Sequence, residues 1–119
     1  MSLAALLLLA ACSEPTSPVD DVRWGIQPPE MYKQFWDEVE LCSGLDSSFE
    51  RVDWFLTRFF PDGEDIRGQW NSRHEITIRY AWRFQPYVVK HEIMHELLGG
   101  DSFHQNEAWT LCSLPVGTR

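Results

Sequence analysis

Pro86-Tyr87-Val88-Val89-Lys90-His91-Glu92-Ile93-Met94-His95-Glu96-Leu97-Leu98-Gly99-Gly100 is the stretch on which the rest of the chain is organised. A proline suited to a first helical turn and a glycine pair suited to a helix end bracket a helix over 87–98. Val89, Ile93 and Leu97 recur at i, i+4, i+8 and form its apolar stripe, which Met94 and Leu98 widen. Lys90 and Glu96 fall on the solvated face. His91 and His95 lie on another line, one turn apart, where two imidazoles can share one metal ion. Glu92 is offset around the helix, so its carboxylate reaches a water on that ion instead of competing as a ligand. This H-E-x-x-H spacing is the signature of a zinc site that activates water.

A catalytic zinc takes three protein ligands and keeps one position open. His104 is the leading third ligand, because it lies past the glycine pair, where a reversing chain folds back over the helix. Glu107 and Asp101 are the alternatives. Asp101 has two further readings, as a carboxylate orienting a ligand imidazole and as a turn residue after Gly100. Cys112 is a poorer ligand, since a thiolate suits a structural zinc and the chain has no C-x-x-C pair.

Working back from the helix, Ile76, Ile78 and Tyr80 alternate with Glu75, Thr77 and Arg79, which predicts a half-buried strand over 75–81. The segment 61–69, with Pro61, Gly63 and Gly68, reads as a turn-rich connection, and 49–57, rich in Val, Phe and Trp, as a strand. Pro28 and Pro29 lead into a helix over 30–41, with Met31, Phe35 and Val39 as its stripe, Trp36 beside them and Gly44 after its end. Trp109 reads as a core anchor. The expected fold is α+β: an active-site helix packed on a short sheet, plus an N-terminal helix.

The N-terminus is of a different kind. Residues 3–11 are an apolar run of leader length, too short to span a bilayer, and they end in small residues before Cys12. This resembles a bacterial lipobox, in which 1–11 are removed and Cys12 is lipidated. The polar, proline-containing 12–23 reads as a tether and 24–119 as one small domain. Lipidation of Cys12, with Ser13 after it, would favour the bacterial cell envelope and the outer membrane of a two-membrane cell; a plain secretory leader with a coincidental cysteine is the other reading. The net charge of −8 argues against nucleic acid as a partner. With Cys12 assigned to lipid, Cys42 and Cys112 remain, and an oxidising location makes a disulfide between them the default.

His91-Glu92-Ile93-Met94-His95, with Gly99, Gly100 and His104 after it, resembles the zincin metallopeptidases. The likeness extends to small bacterial zincin-like lipoproteins, which share the order of a Trp helix with a Cys, a strand, the motif helix, a Gly-Asp turn, a His and a final Cys. Here these are Trp36, Cys42, Ile76-Thr77-Ile78, Val89 to His95, Gly100-Asp101, His104 and Cys112. The resemblance implies Zn2+ on His91, His95 and His104, with Glu92 as general base in hydrolysis of a peptide or protein substrate. It also implies an extended substrate along a strand beside the helix, expected at 75–81, and an oxyanion partner among His74, Arg79, Tyr80 and Tyr87. Two other readings fit the sequence: a non-catalytic lipoprotein stapled by a structural zinc, and a metal-free acidic interaction module.

Overall fold

The computed structural model describes residues 23–114 and 116; the leader, Cys12 and the tether up to residue 22 lie outside the described residues. Four strands form one mixed sheet: β1 (Arg23–Ile26), β2 (Asp53–Thr57), β3 (Gly68–Asn71) and β4 (Glu75–Arg79), in the order β1-β2-β4-β3. β2 and β4 run parallel, and the two outer pairings are antiparallel. Helices α1 (Glu30–Ser43) and α2 (Pro86–Leu98) and the short α3 (Ala108–Leu111) complete an α+β domain. No helix among the described residues is long and apolar enough to cross a membrane.

Strand register decides which face meets the helices. Trp54, Ile76 and Trp70 lie side by side across three strands, as do Leu56, Ile78 and Gly68. Side chains alternate along a strand, so these two rows share one face. Trp54, Leu56, Ile76 and Ile78 are buried there with Tyr32, Trp36 and Val39 of α1 and Val89, Ile93 and Met94 of α2. On the opposite face Arg23 lies over the Phe55 ring, 3.8 Å from its centre, and donates to Thr77 Oγ1 at 3.1 Å.

Several sequence expectations shift in detail. The first helix buries Tyr32, Trp36 and Val39, while Met31 and Phe35 only flank the core. Tyr32 sets that rotation: its ring sits 4.7 Å from Trp54 and its hydroxyl donates to the Arg83 carbonyl at 2.8 Å. The segment 49–57 divides into a 3-10 turn over Phe49–Arg51 and the strand β2. The connection 61–69 gives way at Gly68 to β3, which sequence inspection missed because a four-residue strand opening on glycine carries almost no pattern. β3 and β4 are joined by a tight hairpin in which His74 takes the left-handed conformation (φ 65°) at the last loop position.

The largest correction concerns Glu96, which the helical pattern places on the wet face of α2. Its side chain is 0 % exposed. The carboxylate accepts from Arg51 Nη2 at 3.0 Å, Arg51 Nε at 3.2 Å and Trp70 Nε1 at 2.6 Å, and lies 2.8 Å from His74 Nδ1. Packing against both α1 and β3 leaves α2 almost no free face, so a helical carboxylate there needs donors from other elements. Lys90 also spends its charge within the fold, on Glu38 of α1 at 2.5 Å.

Cys42 at the end of α1 is bonded to Cys112 just after α3, with Cα atoms 5.2 Å apart across a sequence separation of 70. Closing a loop of that size contributes about 4 kcal/mol on the chain-entropy model.

Two predictions concern stability. Thiol alkylation of the unfolded, unreduced protein should leave Cys42 and Cys112 unlabelled, and prior reduction should add two labels. A label count that reduction does not change would rule the disulfide out. Glu96→Ala, which strands the donors of Arg51, His74 and Trp70, should cost about 2–3 kcal/mol in chemical denaturation.

Candidate metal centre

α2 presents His91 and His95 one turn apart, and the chain after it brings His104 back over them. Gly99 (φ 69°) ends the helix, and its neighbour Gly100 (φ 142°) donates its N–H to the His95 carbonyl at 3.0 Å. Both conformations suit glycine, and they close the helix with paired bonds to its last turn. Asp101 and His104 continue the reversal with φ of 67° and 57°. The Asp101 carboxylate then ties the loop together. It accepts from the Gln105 and Asn106 N–H groups, both at 3.0 Å, and from Trp109 Nε1 at 2.7 Å. Those bonds, the two backbone donors first, hold its carboxyl below the ordinary aspartate range.

Trp109 is the floor of the site. It is 2 % exposed, and its ring lies 4.7 Å from His91, 5.0 Å from His95 and 4.7 Å from His104. The expected core anchor therefore also packs under all three imidazoles. α3 carries Trp109, and the Cys42–Cys112 bond fastens the end of α3 to α1.

The three histidines each offer a nitrogen, and these atoms lie within 4.8 Å of one another. His91 Nε2 and His104 Nε2 are 3.1 Å apart. Two nitrogens on one tetrahedral ion at ordinary metal–imidazole bond lengths are separated by about 3.3 Å, so the donor set fits a metal ion. His95 Nδ1 faces the Gly100 carbonyl at 2.7 Å. A carbonyl only accepts, so Nδ1 carries the proton and Nε2 is left as the ligand atom. Burial keeps the His95 imidazole below its ordinary pKa, against an opposing contribution from the Gly100 carbonyl. The neutral ring that results is the form that binds metal.

The alternatives for the third ligand separate cleanly. Glu107 is exposed at the start of α3 and is not in the cluster. Asp101 builds the loop and orients Trp109 from beside the site.

The triad lines a cleft of about 600 Å3 whose other wall comes from the end of the 61–69 connection and from β3. Glu92 is buried there against Gly68, where an added Cβ would stand 3.0 Å from Glu92 Oε2. Trp70 of β3 stacks on His95 at 6.3 Å and 25°. The edge strand beside the motif helix is thus β3, not 75–81: β4 is interior to the sheet, with β2 on one side and β3 on the other. Of the four oxyanion candidates, Tyr87 lines the cleft. His74 is directed at Glu96, Arg79 holds the Ile66 and Gly63 carbonyls, and Tyr80 lies under Arg58 and Arg83. Arg67 and Trp70 were not picked out from sequence, and Gly68 was read only as a turn residue. The one available signal was Gly68 as a point of close backbone approach.

Comparison with protein-family models, curated proteins and solved structures finds no match.

The site makes a sharp forecast for metal binding. His91→Ala, His95→Ala and His104→Ala should each abolish stoichiometric metal uptake, and Glu107→Ala should leave it unchanged. Asp101→Asn keeps the size of the side chain but turns an amide toward donors. It should weaken affinity by roughly 10- to 100-fold without removing a ligand. Competition with a chromogenic chelator measures all five; unchanged affinity in His104→Ala would remove it from the ligand set.

Proposed function

We propose that the chain is a zinc-dependent hydrolase of peptide bonds with a zincin-like site. The observation that carries this reading is the convergence of His91, His95 and His104 at a cleft that also holds the Glu92 carboxylate. Three imidazoles suit zinc, and a ligand set that lines an open cleft is typical of catalytic sites, whereas structural sites are closed by a fourth protein ligand. When bound, the ion supplies Lewis-acid polarisation of a carbonyl and makes a water easier to deprotonate at neutral pH.

The chain's own residues supply the rest. Glu92 takes the proton of the attacking water on its carboxylate and passes it to the leaving amine. Gly68 makes room for that carboxylate, because any side chain at this position would press on it. β3 is a sheet edge beside α2 and lines the cleft, so its backbone N–H and C=O groups can receive an extended peptide as a further strand. Tyr87, on the opposite wall, is the remaining candidate to donate to the developing oxyanion. The setting that goes with this proposal is the bacterial cell envelope, most simply the outer membrane, reached through the leader 1–11 and lipidation of Cys12.

Glu92→Gln separates catalysis from metal retention, because an amide of nearly the same size cannot accept the proton. Zinc content should be unchanged, while hydrolysis of a peptide library should fall by about 10²–10⁴. Gly68→Ala should also keep the metal and slow turnover by roughly tenfold, since displacing a base by a fraction of an ångström degrades its alignment. Peptide cleavage by Glu92→Gln at the wild-type rate would refute this mechanism. Tight zinc binding with no cleavage by wild type would favour the structural-zinc reading.

A further inference from the structure

We infer that Arg67 makes this cleft selective for peptides carrying a carboxylate side chain next to the bond addressed by Glu92, an inference that rests on the peptidase reading. Arg67 immediately precedes Gly68, the residue against which Glu92 packs, and both line the cleft. Its guanidinium stacks over the Trp82 ring at 4.1 Å, and Nη1 donates to the Tyr87 hydroxyl at 2.9 Å. Tyr87 is one helical turn before His91 on α2, so the Arg67–Tyr87 pair joins the two walls of the cleft beside the histidines.

Four other described arginines use their charge inside the fold. Arg23 and Arg73 pair with Glu75, and Arg51 pairs with Glu96. Arg79 is taken up by two backbone carbonyls. Arg67 pairs with no carboxylate among the described residues, although the chain has 18 acidic residues and Asp65 lines the same cleft. Arg58 and Arg83 are likewise without a carboxylate partner among the described residues, but Arg58 rests on Tyr80 and Trp24 and Arg83 on Tyr80 and Phe84, and neither lines the cleft. The contact with Trp82 and the bond to Tyr87 hold the Arg67 guanidinium in place and leave its other N–H groups to bind. A planar fork held in this way matches a carboxylate, which it can grip with two parallel bonds. In a chain with net charge −8, a fixed cation in the cleft works against general repulsion of acidic peptides at one chosen position.

The test uses the zinc-loaded full-length Glu92→Gln protein and fluorescent peptide pairs that differ only by Glu against Gln at one position, scanned along the peptide. Fluorescence anisotropy should show tighter binding of the Glu member at one position by roughly 10- to 100-fold, the range of a charge-assisted hydrogen bond. Adding Arg67→Gln should bring the pair within about twofold, and Arg67→Glu should transfer the preference to Lys at the same position. A merely structural role for Arg67 would lower all affinities together and would not exchange one charge preference for the other. Equal binding of Glu and Gln members, no measurable binding of either, or a Glu preference that survives Arg67→Glu would overturn the inference. Wild-type cleavage of peptides without regard to charge would overturn it while leaving the peptidase reading intact. Charge-selective binding with no cleavage would leave the carboxylate site standing and remove the peptidase reading.

Discussion

The reversal of the chain over α2 is the constraint on which the site depends. His91 and His95 are placed by helical geometry alone, but two imidazoles are an incomplete set. The third arrives because Gly99, Gly100, Asp101 and His104 all take positive φ and fold the loop directly back, at no steric cost for the two glycines but at a cost for Asp101 and His104. Asp101 offsets that cost by satisfying two backbone N–H groups and the Trp109 indole. Trp109 then presses on all three rings at once. A loop that was only reversed, with no floor beneath it, would let the imidazoles drift apart.

A second tie acts from the other side of the domain. α3 has four residues and would not hold as an isolated helix. The Cys42–Cys112 bond and the burial of Trp109 fasten it to α1. Glu96 performs the corresponding task for the far wall of the cleft. Its buried carboxylate joins α2 to Trp70 of β3 and to His74 in the hairpin that turns β3 into β4. Adjacent residues on one helix thus serve different ends: His95 is directed at the metal site, and Glu96 holds the strand that stacks on His95.

The cleft combines features that pull in opposite chemical directions. The buried Glu92 carboxylate packs against a glycine, and an arginine on the cleft lining lies over a tryptophan. The two residues come from different elements, α2 and the connection leading into β3, so their spacing is a property of the packing between helix and sheet edge.

The helix with its two histidines and adjacent glutamate, the nomination of His104 and the α+β class followed from local rules, and the pairing of Cys42 with Cys112 from elimination once Cys12 was assigned to lipid. Helical periodicity places i and i+4 together whatever surrounds them, and glycine pairs end helices for steric reasons that need no partner. What the tertiary structure alone decided involves residues distant along the chain. Glu96 looked solvated because a helical wheel records no neighbours, yet Arg51, Trp70 and His74 converge on it. The rotation of α1 toward Tyr32 depended on Trp54 and the Arg83 carbonyl. The strand beside the motif helix was expected at 75–81 because the better alternation belongs to the strand that proves to have neighbours on both sides. The edge strand packed on that helix, Gly68–Asn71, is short, begins with the glycine against which Glu92 packs, and acquires its meaning only from the helix beside it.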